Sequence, residues 1–544
     1  MQTCYFRLMQ SKNTSLFVQR FPRYLFAAQE WTPTSVKDAV VEPKDLPLGS
    51  AQILYLYGLS SRIALQLISW LEKNPVRRLI FLEPDTGVIA SFLKEQGADE
   101  VLSQKQIEIY HLPKKREKRA LLYELSSRYS FCAVFICYCR GNKQGFYRLK
   151  TDLLRKTAMA YTNHAETTRA PDLLSHFKNN CKALPSSFCV ESLKDAFASI
   201  PAIICGAGPS LQKAIETLQG LKQRALIFAG GSAITALSLQ GVEPHFAVAI
   251  DPNKEEFDRL KNSAAPQTPL LYSLRLNSSC LPLFNGPLGY TRSTFAGPLA
   301  NWIEKEAGLS DPLIGQGFPP ESFSVTMVAA AIAYHFGCNP ILFEGIDLAC
   351  TQNRRYADGI DPQEEKHLHP FDRPLNKQSK SKAKVTSAVR WVIEAGALSK
   401  LARSLKDRRW IQCTADGLPV KGLESMPLAE AATLFREERD LSALIQKAIS
   451  SSPVAKTLAP LLEEKLKGLE ESLDHLQLHL DALIRDVPGL SALAEVEMKE
   501  EMSYQLLFHH AEKALSSVFP ELKDRKSLLI AFQALIQRCK EAIS

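Results

Sequence analysis

The chain is short of several features that would have decided its class at once. None of its apolar runs reaches the roughly 18 residues that a membrane-spanning helix needs; the longest, around Val325–Phe336 and Phe131–Cys139, read as core. The N-terminus, MQTCYFRLMQSKN, has no apolar leader core of roughly 7–15 residues, so a cytoplasmic location is expected. Its twelve cysteines include no CxxC pair, which excludes a zinc ribbon and a thioredoxin motif. Several lie in apolar runs such as FCAVFICYC, where they behave as small hydrophobes in a reducing compartment. The DxD pattern of many metal-dependent glycosyltransferases is also missing. What is present is ordinary for a globular protein: 544 residues, 45% hydrophobic, 23% charged and 8% aromatic. Wholesale disorder, a collagen-like chain and a disulfide-stapled miniature are thereby excluded.

The net charge of +8 is uneven. Residues 1–195 carry +10 and the remainder −2, with Lys114, Lys115, Arg116, Lys118 and Arg119 forming a basic cluster. No aromatic interleaving or helix-turn-helix pattern accompanies it, so a solvated face is expected and nucleic acid is not.

Strand-like runs and helical patterns alternate. AQILYLY ends at Gly58, a helical pattern follows (Ile63, Leu67, Trp70, Leu71), and RRLIFLEPD supplies a second strand ending at Glu83. With one glycine where a dinucleotide fingerprint wants several, cofactor-free α/β packing is expected here. A second series is clearer. PAIICGAGPSL, RALIFAGGSA, HFAVAIDP and NPILFEGIDL each place a short apolar strand before glycines or an acid, with helices between. Buried strands alternating with helices predict a Rossmann-like, parallel, doubly wound sheet. Beyond about residue 430 there is no strand signal. Leu462, Leu466, Leu469, Leu473, Leu476, Leu480 and Leu483 repeat at spacings of four and three, a heptad seam. It suits a helical hairpin with the 500–540 region or, on the sharper reading, a homodimeric coiled coil. The expected layout is therefore α/β throughout: an N-terminal Rossmann-like domain (1–160), a helical connector (161–198), a central nucleotide-binding domain (199–428) and an all-helical C-terminal region (429–544).

In open parallel sheets, ligands bind beyond the carboxyl ends of the strands, where the strand order reverses. The four central strands end at Gly206, Gly230, Asp251 and Gly345/Asp347. In GAGPS, Gly206 and Gly208 open the turn, Pro209 suits the first helical position, and Ser210 with the free N–H groups can hold a phosphate. Gly230 and Ser232 offer a second cradle. Asp251 and Asp347 can bind hydroxyls, bind a divalent metal or act as a base; which metal, if any, stays open. Tyr272, Ser273 and Asn277 follow another short strand and can line the pocket. His245 is expected at the far end of its strand and His335 in the core. Arg354, Arg355 and Tyr356 follow Asp347, ahead of a polar tract at 358–387 bearing Arg373, Lys377, Lys380, Lys382 and Lys384.

GAGPSL, AGGSAITAL, GVEPHFAVAIDP and GIDL, in that order, resemble the MptE-like domain family. That family includes motility-accessory-factor flagellin glycosyltransferases and archaeal 6-hydroxymethylpterin diphosphokinases, and is related in fold to bacterial sialyltransferases. The resemblance spans about 195–425; DGLPVKGLESMPLAEA is similar to the family's closing strand and loop, and the N-terminal domain is more loosely similar to that of the motility factors. It implies a nucleotide turn at Gly206, Gly208, Pro209 and Ser210, a second loop at Gly230 and Ser232, and site acids Asp251 and Asp347; Asn277 and Tyr356, from their place in the chain, are further candidate ligand contacts. The chain departs from the pattern at Glu344, where a different residue often precedes the acid, and at Tyr356, where histidine is frequent. The implied function is transfer of a CMP-activated nonulosonic acid-like sugar to a protein hydroxyl, with no further cofactor. Two alternatives are a Mg²⁺-dependent pterin pyrophosphokinase using ATP and a non-catalytic nucleotide-binding scaffold.

Overall fold

The structure is a computed structural model. It describes the chain except residues 1–11, 36–40, 114–115, 264, 310–312, 320–323, 352–353, 361–373, 415, 487–488, 510–511 and 513–524. Lys114, Lys115 and Arg373 thus lie outside the described residues. The chain forms two compact units, Met1–His164 with Ala511–Leu529 and Ala165–His510 with Ile530–Ser544. Most of residues 429–544, expected above as a region of their own, belong to the second unit.

The first unit is built on four parallel strands, β1 (Ile53–Tyr57), β2 (Arg78–Glu83), β3 (Ile107–His111) and β4 (Val134–Tyr138), in the order β3-β2-β1-β4. The continuous apolar run of β1 is buried on both faces. Its alternate residues enter two separate cores: Leu54 and Leu56 pack with Ile63, Ile89 and Phe92, and Ile53 and Tyr55 with Leu121, Leu125 and Leu149.

The second unit carries a nine-stranded, wholly parallel sheet. Its strands are β5 (Phe188–Cys189), β6 (Ala202–Cys205), β7 (Leu226–Gly230), β8 (Phe246–Ala249), β9 (Leu270–Tyr272), β10 (Leu288–Tyr290), β11 (Ile341–Glu344), then β14 (Trp410–Gln412) and β15 (Glu424–Ser425). Between β11 and β14, β12 (Pro374–Gln378) and β13 (Lys384–Ala388) make a separate antiparallel hairpin. The sheet order is β15-β14-β11-β6-β7-β8-β9-β10-β5. The chain steps outward from β6 to β10, then crosses back to lay β11 on the other side of β6. The reversal of strand order therefore falls between β6 and β11. The helix Val325–His335, apolar nearly all round and capped by the Ser324 hydroxyl, crosses under β6, β7 and β8. Val325 reaches the sheet because residue 230 has no side chain: a Cβ there would lie 2.6 Å from a Val325 methyl.

The heptad seam serves this unit internally. Leu462, Leu466, Leu469, Leu473, Leu476 and Leu480 of the helix Leu458–Arg485 are all buried within the chain. They face the helices Ser491–Glu500, Met502–Leu507, Ala170–Cys181 and Pro298–Glu306. The intramolecular reading of the seam fits this burial, and the dimer reading gains no support from it. Leu473→Ala is expected to cost about 2–5 kcal/mol of unfolding free energy, measured by denaturant titration, with the oligomeric mass in sedimentation unchanged. A variant that lost mass with little loss of stability would return the seam to an intermolecular role.

Candidate functional site

The carboxyl ends of β11, β6, β7 and β8 are neighbours on one sheet edge. The first two are joined directly. Gly206 N–H donates to Glu344 O at 2.8 Å and Gly208 N–H to Gly345 O at 2.7 Å, so the GAGPS turn and the loop after β11 run backbone to backbone. Only glycine permits this approach: a Cβ on Gly206 would lie 2.6 Å from Gly345 O, and one on Gly208 would fall onto Asp347 Oδ2.

Asp347 enters this junction. Its Oδ2 accepts from both the N–H and the hydroxyl of Ser210, each at 3.1 Å. The donors that the sequence offers to a phosphate are thus taken by a carboxylate of the chain itself. Pro209 opens the short 3₁₀ turn Pro209–Ala214, as expected of a first helical position. Asp347 is 2% exposed, and its other oxygen, Oδ1, is buried without a hydrogen-bond partner. Glu344, 3% exposed, adds a second acid: Oε1 accepts from Gly345 N–H at 2.8 Å and stands 3.4 Å from the Ser210 hydroxyl.

The hairpin β12–β13 brings a cation to the same place. Lys380, at its tip, donates from Nζ to Thr414 O at 2.7 Å and from its backbone to Gly417 O at 2.9 Å. The Ser381 hydroxyl holds Asp416 at 3.0 Å. Burial pushes the Glu344 carboxyl up to about 7, with the Asp347 charge adding to the rise. Burial likewise pushes Asp347 up to about 6 against the opposing Ser210 hydrogen bonds. The Lys380 ammonium is lowered, chiefly by burial, while the surrounding acids hold it up.

Asp251 lies elsewhere. Three strand positions separate β8 from β11, about 14 Å at the usual strand spacing, so the two predicted acids cannot share one metal ion. Asp251 Oδ1 accepts from Asn253 N–H at 3.2 Å and Nδ2 at 2.5 Å, while Oδ2 is 3.7 Å from Arg259, which also binds Glu256 at 2.7 Å. Asn277 is tied to this loop: its N–H donates to Asp251 O at 3.1 Å and its side chain caps the turn Ser278–Leu283. Gly230 serves close packing against Val325, and Ser232 opens the helix Ser232–Ser238. The Tyr356 ring lies under the Arg355 guanidinium at 5.2 Å. Among the described residues no group of three His, Cys, Asp or Glu side chains is set to hold a metal ion.

His245 and His335 are structural. His245 accepts from Ile227 N–H and meets Lys222 O near the start of β8, and His335 binds Glu191 O at 2.8 Å. The edge of the first unit is closed by its own ion pair. Arg140 lies across Gly58, and its guanidinium stands 3.6 Å from Glu83, whose carboxylate takes Leu59 N–H at 2.8 Å and Asp85 N–H at 2.9 Å.

Sequence reasoning passed over Glu344 as a site acid and did not separate Lys380 from its basic neighbours. An acid closing the apolar run ILFE was the available signal for Glu344. For Lys380 there was none, since its place depends on a hairpin folded back over the sheet edge.

Residues 175–353 match a family model described as 6-hydroxymethylpterin diphosphokinase MptE-like, so the chain carries an MptE-like domain there. The match starts earlier than the motifs suggested and stops before the hairpin. No curated protein matches the chain. Solved structures similar to it include a MAf glycosyltransferase from Magnetospirillum magneticum AMB-1, with a TM-score of 0.49 and 14% identity over 98% of this chain and 87% of that one.

The raised carboxyls set a sign for the pH dependence of stability. Glu344 and Asp347 hold protons in the folded chain that they lose at about 4 when unfolded. Between those limits the native state binds more protons, so their contribution to stability falls as pH climbs from about 4 to about 7. Unfolding free energy, followed by denaturant titration across that window, is expected to fall less steeply in Glu344→Gln than in the parent. Parallel curves would refute the buried, protonated pair.

Proposed function

We propose that the chain is a glycosyltransferase that moves a sugar from a CMP-activated, nonulosonic acid-like donor to a protein hydroxyl, with the junction of β6 and β11 as the reacting site. The observation that carries this reading is the buried pair Glu344/Asp347 at the strand-order reversal of an MptE-like domain, with one carboxylate oxygen, Asp347 Oδ1, left without a donor. A carboxylate held near neutrality by burial is suited to take a proton at physiological pH.

In the proposed step the acceptor oxygen attacks the anomeric carbon and its proton passes to Asp347. The bond from that carbon to the phosphate oxygen breaks, and its electron pair leaves with CMP. Lys380 supplies positive charge beside the acids, and the water-poor junction strengthens its effect. Asp251, bound into its own turn and to Arg259, is a positioning group for the β8 loop on this reading.

Calorimetric titration with CMP and CMP-sugars is the first test; no heat of binding at millimolar ligand rejects the donor. Where transfer is detected, Asp347→Asn is expected to lower kcat by about 10²–10⁴. The parent's rate should rise through pH about 6, as Asp347 loses its proton.

A second reading follows from the description of the matched family, a pterin diphosphokinase. The pterin hydroxyl oxygen would attack the β-phosphorus of ATP, with AMP leaving. Mg²⁺ would sit on either Asp251 or Asp347, since the two stand too far apart to bind it together. An assay with ATP and 6-hydroxymethylpterin, with and without Mg²⁺, separates the readings. If neither chemistry is found, the non-catalytic scaffold remains.

A further inference from the structure

We infer that the GAGPS turn seats an uncharged, hydroxyl-bearing part of the ligand and excludes its phosphates. The inference rests on reading the β6–β11 junction as the ligand site. It reverses the usual expectation for a glycine turn after the first strand of such a sheet, where backbone N–H groups receive phosphate.

Three observations carry it. Ser210 N–H and Oγ, the donors an incoming phosphate would need, already end on Asp347 Oδ2 at 3.1 Å each. Gly206 N–H and Gly208 N–H, two further donors of the turn, are bonded to Glu344 O at 2.8 Å and to Gly345 O at 2.7 Å. The turn thus holds its anion internally, and a phosphate brought to it meets a second buried acid, Glu344, 3.4 Å from the Ser210 hydroxyl. The buried side-chain atom left unsatisfied beside the turn is an acceptor. Asp347 Oδ1 is buried and receives no hydrogen bond, so the complementary ligand atom is a donor. A hydroxyl meets that need without placing a second negative charge beside the first. The ribose of the nucleotide and the sugar being transferred share this chemistry.

Inorganic pyrophosphate is the probe for the excluded class, titrated calorimetrically into the full-length protein. The parent is expected to give no binding, while Asp347→Ala, which empties the cradle, gains at least about tenfold in pyrophosphate affinity through charge-assisted bonds to Ser210. Adding Ser210→Ala should remove that gain. Pyrophosphate binding by the parent that Ser210→Ala abolishes would overturn the inference, as would Asp347→Ala gaining none. If thermal melting shows Asp347→Ala unfolded, Asp347→Ser replaces it, removing the charge and keeping a small polar group.

Cytidine and 2′,3′-dideoxycytidine distinguish the sources of the hydroxyl. A cytidine preference of at least about tenfold that disappears in Asp347→Asn assigns it to ribose. Equal binding of the two, with Asp347→Asn weakening the CMP-sugar more than CMP, assigns it to the sugar. A hydroxyl preference unaffected by Asp347→Asn would overturn the inference. Failure of cytidine and CMP to bind at all removes the donor proposed above, and the pyrophosphate series then decides this inference alone.

Discussion

Both donors of Ser210 converge on one oxygen of Asp347, across the place where the sheet reverses its strand order. This contact closes the seam between the chain's outward run, β6 to β10, and its return through β11. It requires glycine at 206 and 208, because two backbones and a carboxylate occupy the volume where side chains would stand. It also requires an acceptor at 347: an apolar residue would leave the Ser210 N–H and hydroxyl buried without one. The glycines of this motif are thus explained first by contact between parts of the chain, and only then by contact with a ligand.

Placing Glu344 and Asp347 a few residues apart in a buried junction has an electrostatic cost. Two ionised carboxyls in such a setting repel each other and lose hydration, and the usual relief is that a proton stays bound. Lys380 gives partial relief. It comes from a hairpin that lies outside the main sheet and is anchored at Thr414 and Gly417, on the loop after β14. Three excursions of the chain, after β6, β11 and β12, therefore build one small charged cluster. An arrangement of that kind is not needed to stabilise a Rossmann-like sheet, since apolar packing under β6–β8 already does so.

The sequence made the central strands legible because each is a short apolar run, buried on both faces and closed by a glycine or an acid. The Leu458–Arg485 helix was equally plain from its seam, but spacing alone does not say whether a seam meets the same chain or another. The three-residue strands β9, β10 and β14 were weaker signals, too short for a period to repeat. The candidate site was half legible. Glycine spacing marked the turn, and a strand-end acid marked Asp347. That the two would bond each other depends on β11 crossing back beside β6, a tertiary fact with no local signature. The same holds for Asp251 and Asp347, equivalent as strand-end acids in sequence and separated by three strand positions in the fold.

The two sheets offer an internal comparison. In the first unit the strand-order reversal lies between β1 and β4, next to Gly58, where cofactor-free packing is expected from the sequence. Arg140 fills that place and faces Glu83, whose two oxygens also take the Leu59 and Asp85 N–H groups. That acid has its hydrogen bonds and a counter-charge, so it serves the fold. In the second unit the corresponding place is filled by Asp347, and the satisfaction is incomplete: one oxygen has two donors and the other has none. An unmet buried acceptor raises the free energy of the unliganded chain. A ligand hydroxyl that meets it recovers that energy on binding. On the proposed function, this difference, more than the glycine turn that both units share in outline, is what favours the second reversal point as the reacting site.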